Sequence, residues 1–245
     1  EEKATGEIMA GAGVGTSGGS VAFGISENNF LGRGIKFTSD ISVGDDSVKG
    51  LISMNNPNYR GSNKSLQTTI ETSVIDRLKS FGYKSKKTGF SVGSGFEFYD
   101  DLYWNTGISS YIEKINTDAT ASVSMKKQNG SYFDTFFNQT FSYDKRDQRF
   151  KTSDGYISRF TQNIPLISEN YTLSNAYDYK IYNQWLDQNV LSFGFFAKTA
   201  NSLSGKDIKL SDRIFLPTSK LRGFESGKIG PKDGVDFIGG NYAIA

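Results

Sequence analysis

Apolar and polar side chains alternate with a period of two through most of the chain. From Gly6 to Thr16, Ile8, Ala10, Ala12 and Val14 share one parity, and Glu7, Met9, Gly11, Gly13 and Gly15 the other. Successive side chains of a strand leave opposite faces, so this period predicts a strand. The pattern resumes after Ser17-Gly18-Gly19 in Val21, Phe23 and Ile25, and the turn residues between predict a hairpin. Single-parity apolar series continue through Ile35 to Val43, Val48 to Met54, Leu66 to Val74, Phe90 to Phe98, Leu102 to Ile112, Phe133 to Tyr143, Tyr156 to Ile164, Tyr171 to Ile181 and Leu191 to Ala197. With the segment from Gly240 onward, twelve strands and no amphipathic helix are expected.

The opposite parity carries Lys36, Asp40, Gln67, Glu71, Glu97, Asn105, Asn138, Thr172, Asp178 and Lys180 beside Gly and Ser. Alternation alone fits a β-sandwich with its apolar face inward as well as a membrane barrel with that face outward. Strand length favours the barrel: several runs span about 9–11 residues, the length of a tilted membrane crossing, against ~5–6 in globular strands. Aromatics gather near strand ends, at Phe98-Tyr99 with Tyr103-Trp104, at Tyr143 with Tyr156, and at Tyr179, Tyr182 and Trp185. Interfacial girdles look like this. Connections fall into a variable set (Ser17 to Gly19, Gly44 to Ser47, Asp76 to Lys87, Thr117 to Ser131, Ser168 to Asn170, Ala200 to Ile238) and a more uniform one (Asn29 to Gly34, Asn56 to Asn63, Tyr99 to Asp101, Lys145 to Gly155, Gln184 to Gln188). That asymmetry is expected of an up-and-down outer-membrane barrel.

Composition narrows the chemistry. The 245 residues include 27 Gly, 19 Phe, 13 Tyr and 2 Trp but 4 Pro, with no Cys and no His. Disulfides, thiol nucleophiles, Cys/His zinc sites and a Ser-His-Asp triad are thereby excluded. The net charge is +2 with both signs interspersed, so no nucleic-acid footprint stands out. Mean hydropathy is −0.45 and no apolar run approaches the ~18 residues of a membrane helix. The opening Glu1-Glu2-Lys3 shows no signal peptide, and the chain stops inside a strand, so both ends are expected to be cut.

Individual motifs mostly have plain readings. Gly13 to Gly18 matches the letters of a dinucleotide-binding loop, but a second alternating strand follows where a helix N-terminus would have to receive a pyrophosphate. The carboxylates Asp45-Asp46, Asp100-Asp101 and Asp144 with Asp147 sit at expected turns, where Asp is favoured for local hydrogen bonding rather than for acid/base work. Lys86-Lys87 and Lys126-Lys127 read as solvated loop charges. The segment Ala200 to Ile238 is different, because compact domains seldom keep so long a connection without a task. It holds Leu221-Arg222-Gly223-Phe224-Glu225, then Gly230-Pro231, and leads into Gly239-Gly240-Asn241.

Taken in order, these three pieces resemble the outer-membrane assembly-factor (Omp85-type) superfamily, the bacterial surface antigen family. There the sixth extracellular loop carries a (V/I)-R-G-(F/Y) motif and a Gly-Pro, and the next strand opens with G-G-N. Thr5-Gly6-Glu7, Asn28 to Gly34, Asn56-Pro57 and Thr152 to Gly155 agree with it, so the resemblance covers nearly the whole chain. Leu221 departs from the β-branched first position of the loop motif. The resemblance implies an all-β, transmembrane, antiparallel up-and-down β-barrel that is partial here, about 12 of 16 strands. Residues 1–5 would be the tail of the last POTRA repeat or a linker, and residues 6–245 the barrel, with the long loop at 200–238.

The function so implied is not enzymatic. It is the core of the outer-membrane β-barrel assembly machinery of a Gram-negative bacterium, working in the outer-membrane bilayer on unfolded outer-membrane protein clients with periplasmic assembly lipoproteins. No cofactor, metal or nucleic acid is implied. Two site groups follow from the resemblance. A lateral gate falls on Glu7, Ile8, Met9, Ala10, Gly11, Ala12, Gly13, Val14 and Gly15, whose Gly and Ala content predicts weak pairing. A gating loop falls on Arg222, Gly223, Phe224, Glu225, Gly230, Pro231, Gly239, Gly240 and Asn241, with Arg222 directed at the inner wall. A two-partner-secretion pore or other POTRA-barrel translocation pore, and a soluble β-sandwich binding module, are the alternatives.

Overall fold

The computed structural model describes residues 5–15, 18–78, 82–187, 189–217, 219–225, 227–234 and 236–245. Glu1 to Ala4, expected to end a preceding repeat, and Thr16-Ser17 of the glycine-rich stretch lie outside them. The strands are β1 (Gly6–Gly15), β2 (Gly18–Phe30), β3 (Ile35–Gly44), β4 (Ser47–Asn56), β5 (Ser65–Arg77), β6 (Tyr83–Tyr99), β7 (Leu102–Thr117), β8 (Gly130–Asp144), β9 (Gly155–Ile167), β10 (Thr172–Leu186) and β11 (Asn189–Ser202). A two-residue hairpin of β12 (Lys232–Asp233) and β13 (Asp236–Phe237) precedes β14 (Tyr242–Ile244). The 12-stranded sheet runs β1 to β11 in sequence order and ends on β14. Among the described residues no helix is long and apolar enough to cross a membrane.

Matched parity fixes the register. Phe23 faces Ile41, Ile52 faces Ile70, Tyr177 faces Phe160 and Tyr179 faces Phe195 across antiparallel pairs. A slip by one residue would turn every one of these side chains to the other face. Several strands exceed the lengths read from alternation, and most of the expected connection at Asp76 to Lys87 is strand. Both parities there are polar, so no period announces it. Its order comes instead from Lys84 paired with Asp76 at 2.7 Å and from the Ser85 hydroxyl, which donates to Glu113 at 2.6 Å.

Burial is inverted relative to a water-soluble protein. The apolar parity is open, with Val14 93% exposed, Ile8 74% and Phe193 63%, and Phe90 is also exposed. Phe90 and Phe193 are each exposed, not buried as the core residues of a sandwich would be. The polar parity holds buried Thr69, Glu113, Asp134 and Thr172 instead. Buried charge is costly unless hydrogen-bonded, and Glu113 and Asp134 accept from Ser85 and Ser168, each at 2.6 Å.

By compactness the chain divides into two units. One comprises Glu1–Ser94, Gly107–Phe136 and Ile167–Glu169, the other Gly95–Thr106, Phe137–Leu166 and Asn170–Ala245. In the first, the connection after β7 forms a one-turn helix, α1 (Val123–Lys126), whose N-cap Ser122 hydroxyl accepts from the Met125 N–H at 3.2 Å. Met125, Ala121, Ile115 and Tyr83 are buried there. In the second, the ring of Trp104 stacks on Phe141 at 5.7 Å and takes Phe96 edge-on at 5.6 Å. Tyr143, Tyr156 and Tyr179 follow at about 6 Å spacing. These rings lie beside the connections where a girdle was expected.

Candidate functional site

The expected gate strand is β1, an end strand of the sheet. It pairs with β2 in unbroken register from Gly6 opposite Glu27 to Gly15 opposite Gly18. Glycine in a strand often marks a place where another group comes too close for a side chain. That explanation fails at two positions. A Cβ on Gly11 would meet nothing within 4 Å, and one on Gly13 only the Ser20 hydroxyl at 4.0 Å. Neither glycine has a positive φ. They leave the strand bare rather than relieve crowding. The residues from Glu7 to Val14 are all exposed, and beside them Ala12, Val14, Val21 and Val43 line an open recess of about 570 Å³ that ends at Asp45.

The second candidate is the connection between β11 and β14. Its first part packs on the polar parity of β11: Ala200 is covered by Ile208 and Ile214, with Ala243 of the β14 strand beside them. Asn170 clasps its entry, donating to the Asp207 carbonyl at 2.8 Å and accepting from the Ser204 hydroxyl through its own carbonyl at 2.8 Å. Ile214 and Gly240 exchange two backbone hydrogen bonds of 2.8 Å. Gly239 needs to be glycine here: its φ is +72°, and a Cβ would stand 3.0 Å from the Ile214 carbonyl and from the Phe215 ring. The Asn241 carbonyl accepts from the Ala200 N–H at 2.7 Å and so starts the β11–β14 pairing. The Gly-Gly-Asn segment therefore seats a strand, while Pro231 opens the β12–β13 hairpin and accepts from the Ile238 N–H at 3.1 Å.

Between these anchors lies the arginine motif. The Pro217 carbonyl accepts from the N–H groups of Lys220 and Leu221, which turns the chain. Arg222 is exposed and makes no hydrogen bond or ion pair with the described residues. Gly223 supplies a φ of +88° and Gly230 one of +128°. Phe224 is exposed. Glu225 pairs with Lys228 at 2.7 Å, and the hydrogen bond from that ammonium holds its carboxyl below the usual range. The contact that joins this stretch to the sheet is Lys220, whose ammonium lies 3.1 Å from Asp178 of β10. Sequence reading passed over Lys220.

The other carboxylates singled out from the sequence hold turns. Asp45 accepts from the Gly19 N–H at 3.1 Å, Asp101 pairs with Lys145, and Asp144 takes Arg146 in two hydrogen bonds of 2.7 Å. Of the glycine-rich stretch, Gly13 to Gly15 end β1 and Gly18 begins β2.

An up-and-down antiparallel sheet with its apolar parity open and its polar parity carrying buried charge defines part of a β-barrel of the transmembrane kind. Residues 29–245 match the model of the Omp85 superfamily domain. The chain belongs to the Omp85 superfamily. It is 22% identical over 235 residues to the human (Homo sapiens) sorting and assembly machinery component 50 homolog, covering 93% of this chain and 49% of that protein. The corresponding protein of Bos taurus is 21% identical with the same coverage. This chain thus spans about half the length of the curated relatives it matches. Among solved structures, BamA from Haemophilus ducreyi lacking POTRA domains 1-3 matches all of this chain with 52% of its own, at a TM-score of 0.83 and 24% identity. The fold is that of the BamA barrel, in part.

Proposed function

We propose that this chain is barrel sequence of a membrane-protein insertase of the outer membrane, the core of a BamA-type assembly machinery in a Gram-negative bacterium. Its clients are unfolded outer-membrane proteins, periplasmic lipoproteins assist it, and residues 1–5 continue from an upstream POTRA repeat. The gate is β1. An incoming strand adds to a sheet edge by backbone pairing, and an edge that opens easily is the means. The observation that carries this reading is the bare strand: Gly11 and Gly13 of β1 have room for a side chain and lack one. The ordered loop motif ending at Gly239-Gly240-Asn241 supports it. No bond chemistry is assigned to any residue.

The gate is tested in the intact parent protein, with one cysteine in β1 and one in the last barrel strand. Oxidation should stop client assembly and reduction should restore it; undiminished assembly in the oxidised form would remove the gate. Arg222→Ala in the same parent should lower client assembly with little change in its own level in the membrane. Wild-type client assembly by that variant counts against a role for the loop motif.

A further inference from the structure

We propose that Lys220, through Asp178 and the ring of Phe196, is the positioning residue that seats the arginine-bearing stretch of the long loop on the polar face of β10 and β11. The inference deepens the insertase reading and rests on it for the function of the loop, though not for its position.

Three observations meet at this point. The Lys220 ammonium is 3.1 Å from the Asp178 carboxylate, and the same ammonium stands 5.0 Å from the centroid of the Phe196 ring. A cation over an aromatic face is attracted by the ring quadrupole, and more strongly where water is displaced. Phe196 is only 8% exposed although it lies on the parity that carries Ser192, Gly194 and Lys198. Phe193 and Phe195 leave β11 on its open apolar face, whereas Phe196 breaks the alternation and is covered. The two partners are brought side by side by the sheet itself, since Asp178 and Phe196 are directly opposed in the β10–β11 register.

Chain direction makes the contact consequential. The turn closed on the Pro217 carbonyl presents Lys220, and Arg222 follows two residues later with no contact to the described residues. Up to Lys220 the loop is fixed by Ile208, Ile214 and the bridge to Gly240. From Leu221 to Glu225 the residues are exposed, and Glu225 pairs within the loop with Lys228. Among the described residues Lys220 is therefore the last hold on the sheet before the motif, and it fixes where Arg222 begins its reach.

The test uses the intact parent protein in lipid vesicles. This chain has no cysteine, so Ile229→Cys, at a half-buried position of the same stretch outside the motif residues, gives a single reporter within it, and its rate of modification by a water-soluble thiol reagent reads how firmly the stretch is seated. Lys220→Met should raise that rate roughly fivefold, the sum of an exposed ion pair and a cation–π contact. Lys220→Arg should restore protection, which a side chain needed only for bulk would not require. Asp178→Asn should raise the rate in the same direction and serves if Lys220→Met does not assemble. High salt should raise the rate of the wild type but not of Lys220→Met. An unchanged rate in both Lys220→Met and Asp178→Asn overturns the proposal. Client assembly is scored in the same vesicles: a raised rate with normal client assembly upholds the seating by Lys220 and removes the loop from the insertase mechanism.

Discussion

Asp147 illustrates how a single side chain organises a connection of this sheet. Its carboxylate accepts from the Ser153 hydroxyl and from the Ser153 N–H at 3.1 Å, while the Asp147 N–H donates to the Asp154 carbonyl at 3.1 Å. The hydroxyl's hydrogen bond comes first among the causes that lower the pKa of this acid, with backbone donors adding to it. A depressed folded-state pKa means stabilisation that is complete above the unfolded value and lost as pH falls through the folded one. The turn at 145–154 should therefore stay ordered at neutral pH and loosen only below pH about 4, the ordinary carboxylate range. Proteolysis by an acid-active protease, followed across that range in the intact parent, should show cleavage in the turn appearing as pH drops. Asp147→Asn should abolish the pH dependence of that cleavage. A wild-type cleavage rate that is flat through the acid range would remove Asp147 as the group responsible.

At the level of strands, polar side chains on the apolar parity are as informative as the apolar ones. Gln139 donates to Gln162 at 2.9 Å, Gln162 to Asn175 at 2.7 Å, and Asn175 to Thr199 at 3.4 Å, so one row of side-chain hydrogen bonds crosses β8, β9, β10 and β11. In hydrocarbon an amide must find a partner within the protein. Gln162→Leu should leave the Gln139 amide without its acceptor and the Asn175 side-chain oxygen without its donor, at a cost of about 1–2 kcal/mol read from the urea midpoint of the intact parent in detergent. Replacing Gln139, Gln162 and Asn175 together by Leu should recover most of that loss, because no amide is then left unpaired. Equal midpoints for the single variant and wild type would deny the row any structural part. The sequence reading singled out neither the row nor Phe196, although three amides interrupt otherwise apolar parities and Phe196 is an aromatic on a polar one. Strand identity was legible from the alternation, whereas strand length and the family resemblance, not parity, pointed to facing and order. The start of β6 and the end of β7 were not legible, because Lys84 to Lys87 are polar on both parities, Ile115 stands alone among Glu113, Lys114, Asn116 and Thr117, and order comes from cross-strand partners such as Ser85 with Glu113. The β12–β13 hairpin and the Lys220 anchor depend on contacts between residues far apart in sequence, which local periodicity does not record.

For the molecule as a whole, the sheet combines walls of unequal strength. The β7 to β11 strands are tied by amides, stacked rings and a loop clasped at Asn170, whereas β1 contributes Gly11 and Gly13 with empty space where side chains would be. Under the proposed gate, a sheet that admits a strand at one place would need this inequality, because uniform pairing would open anywhere or nowhere. The inequality can be removed without altering the backbone. Neither glycine has a positive φ, and a Cβ at either fits without a clash, so threonine can replace both while keeping the polar parity polar. Threonine favours the strand and adds cross-strand contact with Ala22 and Ser20, the register partners of the two positions on β2. Gly11→Thr with Gly13→Thr in the intact parent should therefore leave its own assembly and heat-modifiable mobility intact. Client assembly should fall, by roughly twofold to tenfold for two added cross-strand pairs. If the double variant assembles clients at the wild-type rate, the weak pairing of β1 is not what admits them, and the bare edge would need another explanation.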